Sequence, residues 1–96
     1  MSKLTLVAKV VAKKESIEEV KRALLKLVAP ARQEAGCINY NLHQDNENPA
    51  VFIFYETWES TASLEQHMNT EGFKVYIKAV EGLIAEKVVH KMTLIE

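Results

Sequence analysis

Val51-Phe52-Ile53-Phe54-Tyr55-Glu56-Thr57-Trp58-Glu59-Ser60-Thr61-Ala62-Ser63-Leu64-Glu65-Gln66-His67 reads as a strand that runs directly into a helix. Its first half places Phe52, Phe54 and Trp58 on one alternating set and Val51, Ile53 and Tyr55 on the other, the pattern of a strand covered on both faces. Ser60 or Thr61 then caps a short helix carrying Leu64, His67 and Met68. Glu56, the single Trp58 and His67 are thereby drawn to one strand-to-helix junction. Such a junction can frame a pocket for a flat organic ligand, because rigid elements hold polar groups against apolar walls.

The same reading extends outward. Leu4 to Val11 is a second strand apolar on both alternating sets. Ser16-Ile17-Glu18-Glu19 has the form of a capping box, in which Ser16 accepts from the Glu19 amide and the Glu19 side chain reaches back. Ile17, Val20, Leu24, Leu27, Val28 and Ala31 follow at helical spacing. Pro30 removes one amide donor and crowds the Lys26 carbonyl, which predicts a kink or early end, and Gly36 stops the element. Ile38, Tyr40 and Leu42 alternate with Asn39, Asn41 and His43 in a half-polar strand, and Asp45 to Pro49 is a turn cluster. Thr70 starts a further helix with Phe73, Tyr76, Ile77, Val80 and Leu83 inside, and Ile84 to Ile95 forms a long last strand.

The order β-α-β-β-α-α-β is that of the α+β, ferredoxin-like split βαβ arrangement, with helices on one face of an antiparallel sheet. Residues 1–96 then form a single domain with one modest core. Because the strands are apolar on both faces, the sheet face away from the helices needs a partner, and a homodimer stacking sheet on sheet is the simplest cover.

Composition removes several classes of function. With 48% apolar and 26% charged residues and a net charge of −1, the chain has the composition of a soluble globular protein and no basic patch for nucleic acid. The apolar run before Lys9 is too short for a signal sequence or membrane span, and the lone Cys37 has no internal disulfide partner, so a cytoplasmic location is expected.

Each residue of interest has a structural reading beside a functional one. His67 is either a packed helical histidine or a proton acceptor, a task that suits a group whose free pKa is about 6.5. Trp58 is either core or a platform for a ring. Glu56, on the same strand face as Phe54 and Trp58, is either paired with Arg32 or a lysine, or is a polar anchor in a cavity. Tyr40 and Tyr55 read as core phenols with a hydrogen bond at the rim. Asn39, Asn41 and His43 suit a solvated or dimer-facing edge, and Cys37 a small buried filler. No dinucleotide fingerprint, P-loop, nucleophile elbow or zinc-protease motif is present, and His43, His67 and His90 lack a local metal-ligand pattern. An ordinary hydrolase, kinase or zinc enzyme is not expected on these grounds.

Arg32-x-Glu34-x-Gly36-Cys37-x-x-Tyr40-x-Leu42, Asp45 with Asn48-Pro49, Phe54-x-Glu56-x-Trp58-x-Ser60, and Ala62-x-Leu64-x-x-His67 with Phe73 together resemble the antibiotic biosynthesis monooxygenase family. The similarity runs from about Leu4 to Leu94 and is greatest to the small bacterial quinol monooxygenase type. It implies a dimeric α+β barrel with a cavity between helices and sheet in each subunit. It further implies cofactor-independent oxidation of a quinol or phenolic aromatic by O2. In that chemistry a protein base removes a phenolic proton, the anion reduces O2, and a hydroperoxide collapses to the quinone. On this resemblance His67 is the base or anion partner, Trp58 a ring-contacting wall and Glu56 an orienting acceptor, with Tyr40, Phe54, Leu64 and Phe73 lining the site.

Two positions depart from other branches of the family. Phe54 stands where anthrone-oxidising members place an Asn, and Ile77 where haem-degrading relatives place an axial His. Two alternatives stand beside the oxidative reading. One is an isomerase or proton-transfer enzyme acting on a small, possibly phosphorylated, carbonyl compound, which calls for a more polar cavity with cationic groups. The other is a non-catalytic small-ligand-binding dimer.

Overall fold

The computed structural model describes residues 3–96 and contains one antiparallel sheet and three α-helices. In chain order these are β1 (Leu4–Ala12), α1 (Ile17–Arg32), β2 (Cys37–Gln44), β3 (Val51–Trp58), α2 (Thr61–Met68), α3 (Glu71–Ala79) and β4 (Ile84–Met92). The strand order is β2-β3-β1-β4, the ferredoxin-like α+β arrangement expected from the element order. Among the described residues no helix is long and apolar enough to cross a membrane.

Period-two alternation decides which face of the sheet the helices cover. Leu6, Ala8, Val10 and Ala12 of β1 and Phe52, Phe54, Glu56 and Trp58 of β3 are all buried on the helix side. They meet Val20, Leu24, Leu27 and Ala31, the buried stripe of α1. Full burial of one such aliphatic side chain stabilises by about 1.5–3 kcal/mol, so this layer holds the fold together. The opposite face carries Val7, Val11, Val51 and Ile53, half-buried, and Tyr55, exposed.

Local signals are followed at some ends and overridden at others. Ser60 caps α2 by accepting from the Ser63 amide at 3.1 Å, and Thr70 caps α3 by accepting from the Phe73 amide at 3.2 Å. The expected capping box at Ser16 is absent: a 3-10 turn over Lys14–Ser16 precedes α1, and the Ser16 side chain makes no capping hydrogen bond. Ser16 ends that turn with φ −122° and ψ 15°, not the extended backbone from which an N-cap side chain accepts from the first helical amides. α1 continues through Pro30 to Arg32, because its last turn is closed by the Gln33 amide bonding the Pro30 carbonyl.

β2 departs from simple alternation. Its register against β3 shifts between Cys37 and Asn39, where two residues on β2 oppose one step on β3. This bulge turns Ile38 outward, to 40% exposure, and Cys37 toward the core. β4 ends at Met92 rather than Ile95, since β1, its partner, supplies no pairing residue beyond Thr5.

Gly36 fixes the approach of this turn to α2. Its φ is +86°, and a Cβ there would run into the Cβ and Oγ of Ser63. Its carbonyl also accepts from the Glu59 amide at 2.8 Å. Gly36→Ala is therefore expected to destabilise the protein by about 2 kcal/mol, through left-handed backbone strain plus overpacking. Urea denaturation would measure it, and a loss below a few tenths of a kcal/mol would mean that the turn relaxes freely.

Candidate active site

Parts of three cross-strand rungs, all but Leu42, Gln44 and Phe52, make the floor of a cavity of about 260 Å³ between the sheet and the helices. The first rung runs Tyr40–Glu56–Leu6–Lys91 from β2 to β4, the second Leu42–Phe54–Ala8–Val89, and the third Gln44–Phe52–Val10–Lys87. Leu64, His67 and Met68 from α2 and Phe73 and Tyr76 from α3 close over it. The β2–β3 end is sealed, with Tyr40, Phe54, Glu56 and His67 all buried. At the β4 edge Lys87, Val89 and Lys91 are exposed, so the cavity opens there.

His67 is 3% exposed and held from both sides. Its Nδ1 lies 2.8 Å from Glu34 Oε1, and its Nε2 lies 3.4 Å from the Tyr40 hydroxyl. The rings of Trp58, Phe73 and Tyr40 stand 4.9, 5.2 and 5.3 Å from the imidazole. A carboxylate on Nδ1 favours the tautomer with its proton there, leaving the Nε2 lone pair as an acceptor. At 3.4 Å the Tyr40 hydroxyl is a long, weak partner, which a ligand hydroxyl can replace. Burial, and then the nearby carboxyls of Glu56 and Glu34, push the Tyr40 phenol far above its usual range, so it stays a neutral donor.

Glu56 does not pair with Arg32 or a lysine. Its Oε1 accepts from the Trp58 indole N–H at 2.8 Å. Arg32 instead donates through Nε to the Tyr40 carbonyl at 3.0 Å and through Nη2 to Asn41 Oδ1 at 3.1 Å. Burial is the main cause that pushes the Glu56 carboxyl up to about 7. The indole hydrogen bond opposes the rise and Glu34 adds to it. The carboxyl therefore changes charge near neutral pH inside the cavity it lines.

The cavity wall brings together His67, Glu56, Tyr40, Phe54, Leu64 and Phe73. Trp58 is not part of that wall. It is wholly buried one layer behind, where it braces His67 by ring packing and Glu56 by its N–H. Asn39 and His43 lie exposed on the other face, and Cys37 is half-buried. Among the described residues no three His, Cys, Asp or Glu side chains cluster closely enough to hold a metal ion.

Sequence reading assigned no role to Glu34, Lys87 or Lys91. Glu34 sits in the turn after α1 and meets a histidine 33 positions later, a pairing no local period reports. The lysines flank Val89 on the inner face of β4, a signal legible only once that strand's inner face is known.

A family model described as Antibiotic biosynthesis monooxygenase matches residues 3–79. The chain is 32% identical over 59 residues to the uncharacterized protein sll1783 of Synechocystis, a match covering 62% of this chain and 40% of that protein. It is 33% identical over 69 residues to YgiN of Escherichia coli, described as a probable quinol monooxygenase, covering 64% of this chain and 66% of that one. The match thus spans less than two thirds of either relative. The crystal structure of PA3566 from Pseudomonas aeruginosa superposes with a TM-score of 0.96 at 36% identity, covering 100% of this chain and 97% of that one.

Proposed function

The chain belongs to the antibiotic biosynthesis monooxygenase family, and on that premise we propose that it oxidises a phenolic or quinol ring with O2, using no cofactor. The observation that carries this reading is His67, fixed by Glu34 through Nδ1 at 2.8 Å, on the wall of a mostly apolar cavity sized for one or two fused rings. Nε2 removes the ring hydroxyl proton. A ring carbon conjugated to the resulting anion then forms a C–O bond to O2, and the imidazolium returns its proton to the peroxide. Loss of the C–H proton from that carbon and cleavage of the O–O bond leave a carbonyl and one water. All four electrons that O2 requires come from the ring. Tyr40, as a neutral donor, stabilises the ring anion, and the apolar wall excludes water from the reactive intermediate.

A proton-transfer reaction on a small phosphorylated carbonyl compound would need polar partners around the reacting carbons. Leu6, Ala8, Val10, Phe54 and Leu64 supply none there, and the lining lysines, Lys87 and Lys91, stand on the exposed β4 edge and not beside His67; this placement favours the ring substrate. Oxygen-electrode measurements over a panel of naphthols and hydroquinones, with a chelator present, test the proposal. One O2 consumed per quinone, with no hydrogen peroxide accumulating, is the expected result. No uptake over the panel would sink it.

The apolar outer face of the sheet is proposed as the surface on which a second copy stacks. Val7, Val11, Val51 and Ile53 form its centre around Lys9, which is ion-paired with Glu86, and polar Asn39 and His43 form its rim, close to the distribution of an interface core and edge. Ile53→Lys would put a second positive charge at that centre, beside its cross-strand neighbour Lys9. Light scattering should then give the monomer mass where the parent gives the dimer mass, and an unchanged mass would place the interface elsewhere.

A further inference from the structure

We propose that the aromatic substrate carries an acidic group, a carboxylate or sulfonate, at the end remote from its reacting hydroxyl, and that Lys87 and Lys91 receive it. The proposal rests on the ring-oxidation reading and specifies its substrate. It starts from the inner face of β4. The matching inner positions of β1 are Val10, Ala8 and Leu6, all apolar and buried. On β4 they are Lys87, Val89 and Lys91, all three on the cavity lining. Neither lysine forms an ion pair among the described residues, where the ion pairs are Lys9–Glu86 and His67–Glu34.

Geometry sets the polarity of a bound ring. Adjacent strands lie about 4.8 Å apart, so the cavity floor from β2 to β4 spans roughly 14 Å. A hydroxyl on His67 Nε2 sits at the β2–β3 end, above Tyr40. A bicyclic ring laid from there across Phe54 and Ala8 ends above Val89. Each lysine is two residues from Val89 along the strand, about 7 Å, within reach of a four-carbon side chain. The two ammonium groups thus bracket a group standing over Val89, at the open and solvated edge. The remaining titratable groups facing the cavity are Glu56, His67, Tyr40 and Tyr76, all at the closed end or under the helices. A cationic mouth and a carboxyl-bearing interior orient an acidic phenol with its hydroxyl inward, and they disfavour the reverse pose by placing two carboxylates together.

Binding separates this proposal from the chemistry. Naphthalene-2-carboxylate and its neutral isostere naphthalene-2-carboxamide carry no ring hydroxyl to oxidise, and calorimetry on the intact protein measures both. The carboxylate is expected to bind about tenfold tighter at low ionic strength, the sum of two partly exposed charge pairs. That preference should shrink as salt is added and disappear in the K87Q/K91Q double variant, whose surface substitutions leave the core untouched. Equal binding of the two ligands, no binding of either, or a preference that survives in the double variant would overturn it. A carboxylate preference in a protein that consumes no O2 with any quinol would leave the anion site standing and remove the oxidative reading alone.

Discussion

Replacing His67 by Gln is expected to lower kcat/KM for an accepted quinol by about 10²- to 10⁴-fold, the usual contribution of a positioned general base. The glutamine amide can still donate to Glu34, so the variant removes the basic lone pair while keeping a polar partner in a buried position. Thermal melting checks that the fold survives. Because His67 packs among three aromatic rings, a truncation to Ala would add a cavity cost that obscures the chemical effect. Oxygen uptake at substrate concentrations well below KM then reports the loss. Turnover equal to the parent's for every accepted quinol would take the base away from His67. Glu34→Gln is a milder companion: it keeps the hydrogen bond to Nδ1 but not the charge. Its effect on activity should fall well short of the His67 loss, as befits a residue that acts through the imidazole.

Glu56→Gln is expected to stabilise the protein above neutral pH by roughly 3 kcal/mol relative to its effect in acid. The carboxyl rises from its ordinary 4.5 to about 7 on folding. A raised carboxyl binds its proton more tightly folded than unfolded. Between pH 4.5 and about 7 the native state therefore holds more protons than the unfolded chain, and stability falls as pH rises through that window. Below it both states are protonated and the group contributes no ionisation penalty; above it the full penalty applies. The amide that replaces the carboxyl cannot ionise, and its carbonyl still accepts from the Trp58 N–H. Urea denaturation of parent and variant at about pH 4 and pH 8 isolates the difference, since other groups titrate alike in both. A difference that stays flat across this range would mean that Glu56 is solvated or newly paired. Trp58→Phe tests the other half of the pair: with the indole donor gone, the penalty of ionising Glu56 grows.

What the parent retains for that penalty is a charge that switches near neutral pH beside the proposed base. Glu34 orients the imidazole from outside, Glu56 faces the ring from below, and Trp58 joins them mechanically by packing on one and donating to the other. In the proposed site Trp58 would act from behind the wall, wholly buried and outside the cavity lining.

Element order, the alternating sets of β1 and β3, the stripe of α1 and the helix starts at Ser60 or Thr61 and at Thr70 were determined by the sequence alone. They rest on periods of two and 3.6 residues and on side chains that bond their own backbone, which are local properties. The same periodicity brought Glu56, Trp58 and His67 to one junction with Phe54 on the strand face of Glu56, whereas Tyr40 entered the site only through the family resemblance. Tertiary structure decided the rest. The bulge at Cys37 and Asn39 reverses Ile38 because register is settled by pairing with β3. Ser16 forgoes its cap where a 3-10 turn leads into the helix, and Glu56 takes Trp58 while the Arg32 guanidinium is held by β2. Glu34 meets His67, and Lys87 and Lys91 reach the cavity mouth, only when distant segments are brought together. Local sequence sets which side a residue faces, but the partner waiting there is chosen by the packing of the whole chain.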